Sequence, residues 1–327
     1  MNGDFDSLLE EAINENKTAF IYYLLMNQTE INPNFFSKNN HLKKLVIPSS
    51  ITSIKSGSFS NCLSLVGIVI PPSVKEIGDF TFTHCSSLTE VTIPASVQSI
   101  GSYLFSYCSS LTQIKIPSSV TSISDSSFSH CILLSKISIP SSITEIGENA
   151  FSDCSSLTEI IVPSSVTQIC KSAFIHCSSL SKITLSSSIS SIEDNTFEGC
   201  VSLKELTIPS SVIQIGNNSF CRCSSLKELT IPSSVTQIGD SAFIECSSLK
   251  EITIPSSVTS FGINIFKGVK ILEIKGDLKS IPNKLFEECV SLKILTIPSS
   301  VTTIGDNAFN ECNFLKFLII SSKEALN

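Results

Sequence analysis

Apolar and polar positions follow one another along this chain in an order that repeats. Aligning residues 88–110, 203–225 and 226–248 gives L-x-x-I-x-I-P-S-S-V-x-x-I-G-x-x-x-F-x-x-C-x-S, a period of 23 residues. The phenylalanines set the count: Phe59, Phe82, Phe105, Phe128, Phe151, Phe174, Phe197, Phe220, Phe243, Phe266, Phe286 and Phe309, every step being 23 except Phe266 to Phe286, which is 20. In I-x-I two residues point one way and the residue between them the other, which is the period of a β-strand. Proline follows in most copies, as at Pro48, Pro71 and Pro94, and ends the strand because it has no N–H to give to a ladder. The serine pair turns the chain through side-chain to backbone hydrogen bonds, and V-x-x-I sends a second apolar pair inward. One such unit cannot bury its apolar positions alone, so the copies must stack turn on turn. The pattern predicts a β-rich solenoid, a coil with one parallel strand per repeat, in which the phenylalanines form an aromatic spine.

Three segments follow from where the repeat runs. Residues 1–40 lack it; Leu8, Leu9, Ala12 and Ile13, then Phe20, Ile21, Leu24 and Leu25, have helical spacing in two short pieces split near Asn16 and Lys17. That spacing predicts a helical cap over the first strand. The second piece, with the TEIN that follows, has a weak likeness to the back half of an ankyrin-type helix pair. Residues 41–322 form the solenoid, twelve full repeats plus a final strand at 315–320, and 323–327 are a tail. Between Phe266 and Ile274 three residues are missing, Lys275 and Gly276 stand where Pro-Ser is usual, and Pro282 stands where glycine is usual. The coil must kink or bulge there, either as a hinge or notch for a partner or as drift of one turn.

The L-x-x-I-x-I-P, I-G and F-x-x-C elements recur together over 42–320, and this combination resembles the BspA-like leucine-rich repeats, the 23-residue class also called the treponemal type. The resemblance implies a right-handed leucine-rich-repeat coil whose strands line the concave face. It also implies a non-enzymatic, protein-binding role, since members are commonly surface or secreted adhesion and host-interaction proteins of bacteria and mucosal protozoa. The alternative role is that of an intracellular adaptor or scaffold, joining partners through the solenoid and the N-terminal helices.

Charge and composition narrow the partner. The net charge is -7, from 29 acidic and 22 basic residues with Arg222 as the lone arginine, and the lysines are spread rather than clustered, so nucleic acid is not expected. The N-terminus is acidic where a secretory signal is basic, and no apolar run is long enough to span a bilayer. Read alone, the sequence favours the cytoplasm; the resemblance favours the cell surface. Eleven of the thirteen cysteines share one slot of the repeat, Cys170 and Cys221 being the exceptions. With no C-x-x-C pair they converge on no metal ion, and they are expected to be buried, reduced and packed as small hydrophobes. His84, His130 and His176 share the slot before the cysteine in alternate repeats, with Tyr107 and Asp153 between them, which reads as a polar surface stripe. No catalytic residue, metal or cofactor is expected.

The outward positions of the strands carry the functional information. One column contains Glu205, Glu228 and Glu251 followed by Ile271, Ile294 and Phe317; the other contains Thr230, Thr253, Glu273, Thr296 and Ile319. Stacked glutamates at one strand spacing repel unless something compensates; Lys204, Lys227 and Lys250 are the neighbours in sequence. Ile271, Ile294, Phe317 and Ile319 form an apolar patch that suits a contact. The expected partner-binding residues are therefore Glu205, Glu228, Glu251, Ile271, Ile294, Phe317 and Ile319. The partner is a protein with basic residues around an apolar anchor, or else a second copy pairing with the last strand's open edge.

Overall fold

The computed structural model describes residues 2–321, with side chains from residue 7 onward; the tail expected at 323–327 lies outside them. The chain divides into two units, Met1–Ser165 and Val166–Asn327, and each is a solenoid of parallel-strand turns.

Unit 1 opens with helices α1 (Asn2–Asn14) and α2 (Thr18–Leu25). Leu9, Ala12 and Ile13 of the first and Ile21 and Leu25 of the second are buried. The second helix lies against the strand Lys44–Val46. Lys43 donates its backbone N–H to Asn16 Oδ1 at 3.4 Å, and Ser50 Oγ donates to the Leu25 carbonyl at 3.4 Å. The helices thus shield the first long strand, the protection a solenoid end needs.

The coil itself begins inside the stretch that the consensus leaves out. Glu30–Ile31 pairs in parallel with Ser53–Ile54, and Phe36 stacks on Phe59 with centroids 4.9 Å apart. Ile31, Phe36 and Leu42 stand 23 residues before Ile54, Phe59 and Leu65. The cysteine slot of this turn holds Asn39, whose Oδ1 accepts from the N–H groups of His41 and Leu42 at 3.0 and 2.8 Å. TEIN is therefore a turn of the coil and not part of a helix pair.

Each turn has three sides: a long strand, a short strand, and a turn-rich side carrying the phenylalanine. In unit 1 the long strands Lys44–Val46, Gly67–Val69 and Glu90–Thr92 pair in register, Leu45 beside Ile68 beside Val91. The short strands Ser53–Ile54, Glu76–Ile77 and Ser99–Ile100 do the same. In unit 2 the long strands Glu228–Thr230, Glu251–Thr253, Ile271–Lys275, Ile294–Pro298 and Phe317–Ser321 form one five-stranded sheet.

The interior is a set of ladders. Phe36, Phe59, Phe82, Phe105, Phe128 and Phe151 of unit 1 are fully buried, their centroids 4.9 to 5.7 Å apart. From Phe174 to Phe309 in unit 2 the spacing is 5.4 to 6.0 Å. These values mostly exceed the strand spacing of about 4.8 Å, so the rings lie offset, as their quadrupoles favour.

The cysteine beside each ring does more than fill space. Cys85 Sγ donates to the carbonyl of Phe59 at 3.2 Å, Cys108 to Phe82 and Cys131 to Phe105 at 3.1 Å, and Cys246 to Phe220 at 3.1 Å. The Phe59 carbonyl also accepts the Cys62 N–H at 3.2 Å. A thiol is apolar enough for the core yet still supplies a weak donor to an inward-pointing carbonyl. All thirteen cysteines are free, with Cys170 and Cys312 only partly buried. Burial holds the thiols of Cys62, Cys200 and Cys289 up at about 12 and that of Cys221 at about 11, against an ordinary 9.0.

Two outcomes follow from these ladders. Phe197→Ala, which removes a ring clamped on both sides, should cost about 3–5 kcal/mol in chemical denaturation, and Phe309→Ala in the last turn less than about half of that; equal losses contradict nearest-neighbour coupling. Thiol titration of the denatured chain without reductant should return nearly all thirteen cysteines, while the native chain reacts first at Cys170 and Cys312. Because folding raises the thiol values, it favours the protonated form, so the thiols' contribution to stability is complete below about pH 9 and is lost as pH climbs toward about 12. Recovery of only a few thiols would mean that the ladder is cross-linked.

Candidate functional site

Inward residues are dictated by the stack, so chemistry specific to this chain must lie on outward positions. On the strand face of unit 2, Glu228 and Glu251 are register partners, with carboxylates rooted about one strand spacing of 4.8 Å apart. Glu205 is exposed one turn earlier, in a segment, 203–209, that belongs to no strand.

The departure of this segment coincides with a change in the turn before it. In other turns a serine hydroxyl donates to a carbonyl of the preceding turn, as Ser234 does to Val212 and Ser257 to Val235, at 2.6 and 2.8 Å. Ser186, standing where proline is usual, turns inward and takes the Val166 carbonyl at 2.6 Å. Leu185, whose counterparts Ile231 and Ile254 are buried, is only half-buried. The buried Ser211 Oγ has no hydrogen-bond partner among the described residues. Beside this turn is an open trough of about 830 Å³ lined by Glu205, Glu228, Glu251 and Lys182 together with the apolar Leu185, Leu206 and Ile208.

The shortened turn corrects the expected columns. Ile271–Lys275 pairs with the strand before it as Glu251 to Glu273, Ile252 to Ile274 and Thr253 to Lys275. It pairs with the strand after it as Ile271 to Ile294 and Glu273 to Thr296. The strand has slipped by two residues against its predecessor, an even number that keeps inward residues inward where a slip of one would turn them out. Gly276 absorbs the slip: its φ is +99°, and an added Cβ would lie 2.5 Å from the Ile254 carbonyl oxygen.

The acidic column is therefore Glu228, Glu251 and Glu273, continuing through Thr296 to Ile319. Ile271 does not follow Glu251. Instead Ile271, Ile294 and Phe317 form a neighbouring column on the same face, with Ile271 47% and Phe317 59% exposed. The slip also places Lys275 Nζ 2.8 Å from Glu251 Oε2. Among the described residues Lys204, Lys227 and Lys250 form no ion pair with the three glutamates, and Lys275 supplies compensation at Glu251 alone. Glu273 and Lys275 were hidden from the sequence pattern, because a count of 20 between phenylalanines does not say where the slack is taken up.

At the last turn Leu318 and Ile320, whose counterparts in earlier turns are buried, are 46% and 67% exposed. Phe317–Ser321 pairs with Ile294–Pro298 along one edge. Among the described residues no three His, Cys, Asp or Glu are gathered so as to hold a metal ion, and no helix is long and apolar enough to cross a membrane.

The BspA type leucine rich repeat region matches the chain over residues 29–158, 144–273 and 268–326. Among solved structures, a leucine-rich repeat protein from Bacteroides ovatus is 29% identical with a TM-score of 0.67, over 88% of this chain and 69% of that one. A leucine rich cell surface protein from Faecalibacterium prausnitzii is 28% identical with a TM-score of 0.53, over 90% and 84%. A leucine-rich repeat protein from Eubacterium ventriosum is 26% identical with a TM-score of 0.54, over 91% and 82%. No curated protein sequence matches the chain. With the family's repeat found from residue 29 to residue 326 and the parallel-strand turns to go with it, the chain belongs to the BspA-type leucine-rich repeat family.

Proposed function

We propose that this is a non-enzymatic protein-binding repeat protein whose partner docks on the strand face of unit 2. Basic residues of the partner enter the trough beside Glu205, Glu228 and Glu251, and an apolar anchor packs on Ile271, Ile294, Phe317 and Ile319. The observation that carries this reading is the pairing of adjacent outward carboxylates with an exposed apolar column on one face. Neither helps the fold: like charges side by side in a sheet oppose each other, and exposed apolar area gains nothing from folding. Both suit a partner of opposite charge with an apolar centre. Many of the hydroxyls and thiols are engaged in structural bonds to carbonyls of neighbouring turns, as at Ser234, Ser257, Cys108 and Cys246, which fits binding rather than catalysis.

The adhesion or host-interaction role at a cell surface is supported by the similarity to the Faecalibacterium cell surface protein. An intracellular adaptor is the second reading, supported by Phe20, Tyr23 and Met26, exposed on and just after α2, where another partner can dock. Self-association through Phe317–Ser321 is supported by the uncovered residues Leu318 and Ile320.

Charge reversal of Glu205, Glu228 and Glu251 to lysine and, separately, Phe317→Asp should each weaken partner capture about tenfold or more. If both leave capture intact while Phe317→Asp turns a dimer into a monomer, the patch is a self-association surface. Protease treatment of intact cells followed by an antibody against the repeats separates the two compartments; loss of signal selects the surface.

A further inference from the structure

The turn-rich side of unit 1 carries a second feature, unrelated to the strand face. In each turn two residues four apart have positive φ. The first of these positions is Asn, Ser, Gly or Lys in the other eleven turns, but Phe80 and Tyr103 in two adjacent ones, with φ of 57° and 56°. Left-handed backbone suits glycine and asparagine and disfavours large side chains. Both rings are exposed, 46% and 40%, and they stack on each other at 4.8 Å. Gly57 and Ser126 occupy the flanking turns, so no further ring extends the pair. Four residues on, at the second such position, His84, Tyr107 and His130 stack at 4.3 and 4.2 Å, with Tyr107 43% exposed.

The fold does not call for these rings. Asparagine or serine closes the same turn elsewhere with less strain, and the stacking of two half-exposed rings recovers only part of the difference. The charges around them have one sign. Segments 79–84, 102–107, 125–130 and 148–153 contain Asp79, Asp125, Glu148 and Asp153 and no lysine or arginine. Asp79 and Asp125 each use Oδ1 on a backbone N–H of the next turn, that of Ser102 at 2.8 Å and that of Glu148 at 2.7 Å, and Asp153 Oδ2 lies 3.7 Å from His130 Nε2.

We infer that the Phe80–Tyr103 pair, with the neighbouring His84–Tyr107–His130 stack and its carboxylates, is a docking site for an arginine side chain of a peptide or protein partner. A guanidinium is planar, stacks on aromatic rings through its charge, and directs its N–H groups sideways to carboxylates. Exposed rings, acidic neighbours and the absence of lysine and arginine from these four segments match that chemistry. The site is independent of the strand-face reading and stands or falls without it.

The test is calorimetric titration of the full chain with a short arginine-rich peptide and with its citrulline counterpart, which keeps the shape and loses the charge. Binding of the arginine peptide should be saturable, and about tenfold weaker for citrulline and in Phe80→Asn/Tyr103→Asn. The double variant should unfold at the same or higher denaturant concentration than the parent chain. Because the glutamates of the strand face can also attract a basic peptide, the titrations are repeated in the Glu228→Gln/Glu251→Gln background, where removing the rings should still weaken binding about tenfold. Phe80→Leu/Tyr103→Leu, which keeps apolar volume without rings, should bind as weakly as the asparagine variant. The proposal is overturned if the arginine peptide does not bind saturably, if citrulline or either ring variant binds as tightly, if removing the rings has no effect once Glu228 and Glu251 are replaced, or if removing the rings lowers stability.

Discussion

Every inward residue of this chain must meet its own counterpart one turn away, at a spacing set by the backbone hydrogen bonds of the strands, and the rest of the structure depends on that requirement. A side chain is admitted to the core only if it packs on a counterpart of similar shape and polarity, as Leu45 does on Ile68 and Ile68 on Val91. Flat phenylalanine rings satisfy this by stacking with an offset. Cysteine satisfies it for a different reason: the carbonyl of each Phe turns inward, and the slot needs a residue small enough to stack and able to donate a weak hydrogen bond. Asn39 shows what happens in a turn that lacks the thiol, where a side-chain amide supplies acceptors to the local backbone instead.

The same requirement governs how the coil absorbs irregularity. Three residues lost from one turn cannot be made up by a shift of one, since that would expose a whole row of isoleucines and bury charged neighbours. A slip of two against the preceding strand, with a glycine at positive φ to take the bend, is the solution found at Ile271–Lys275. It has a chemical side effect: Lys275 arrives beside Glu251 and Glu273 joins the acidic column. At the other departure Ser186 stands in the proline slot and bonds to the Val166 carbonyl, beside the trough and before the segment 203–209 that belongs to no strand. The glutamates Glu205, Glu228 and Glu251 of unit 2 thus lie between two departures from the repeat.

Legibility in the sequence divides along this line. Positions that recur could be assigned to strand, turn and core from their period alone, and the ladders of Phe59, Cys85 or Ile100 are where the period puts them. Positions read by adding a constant to their neighbours went astray where the constant changed: Ile271 was placed after Glu251, and the structure puts Glu273 there. Phe36 escaped notice because its turn has Leu25 in the proline slot and Asn39 in the cysteine slot, although its distance from Phe59 is the regular one. Phe80 and Tyr103 were hidden because their peculiarity is a backbone angle, which a hydrophobic pattern does not register.

The burial of the thiols also removes an inference that the sequence invites. A chain with thirteen cysteines and no disulfides suggests a reducing compartment, but that reasoning holds for thiols that can ionise and meet an oxidant. Here desolvation holds Cys62, Cys200 and Cys289 near 12, and each lies in the interior, so the thiolate needed for exchange is scarce at neutral pH. Neighbouring cysteines are instead committed to the carbonyls of the phenylalanine ladder. A core of this kind is chemically quiet inside or outside a cell, and its fully buried thiols therefore carry no information about where the protein works, in contrast to the partly buried Cys170 and Cys312. What distinguishes one such solenoid from another is left to the outward residues, which stacking does not constrain.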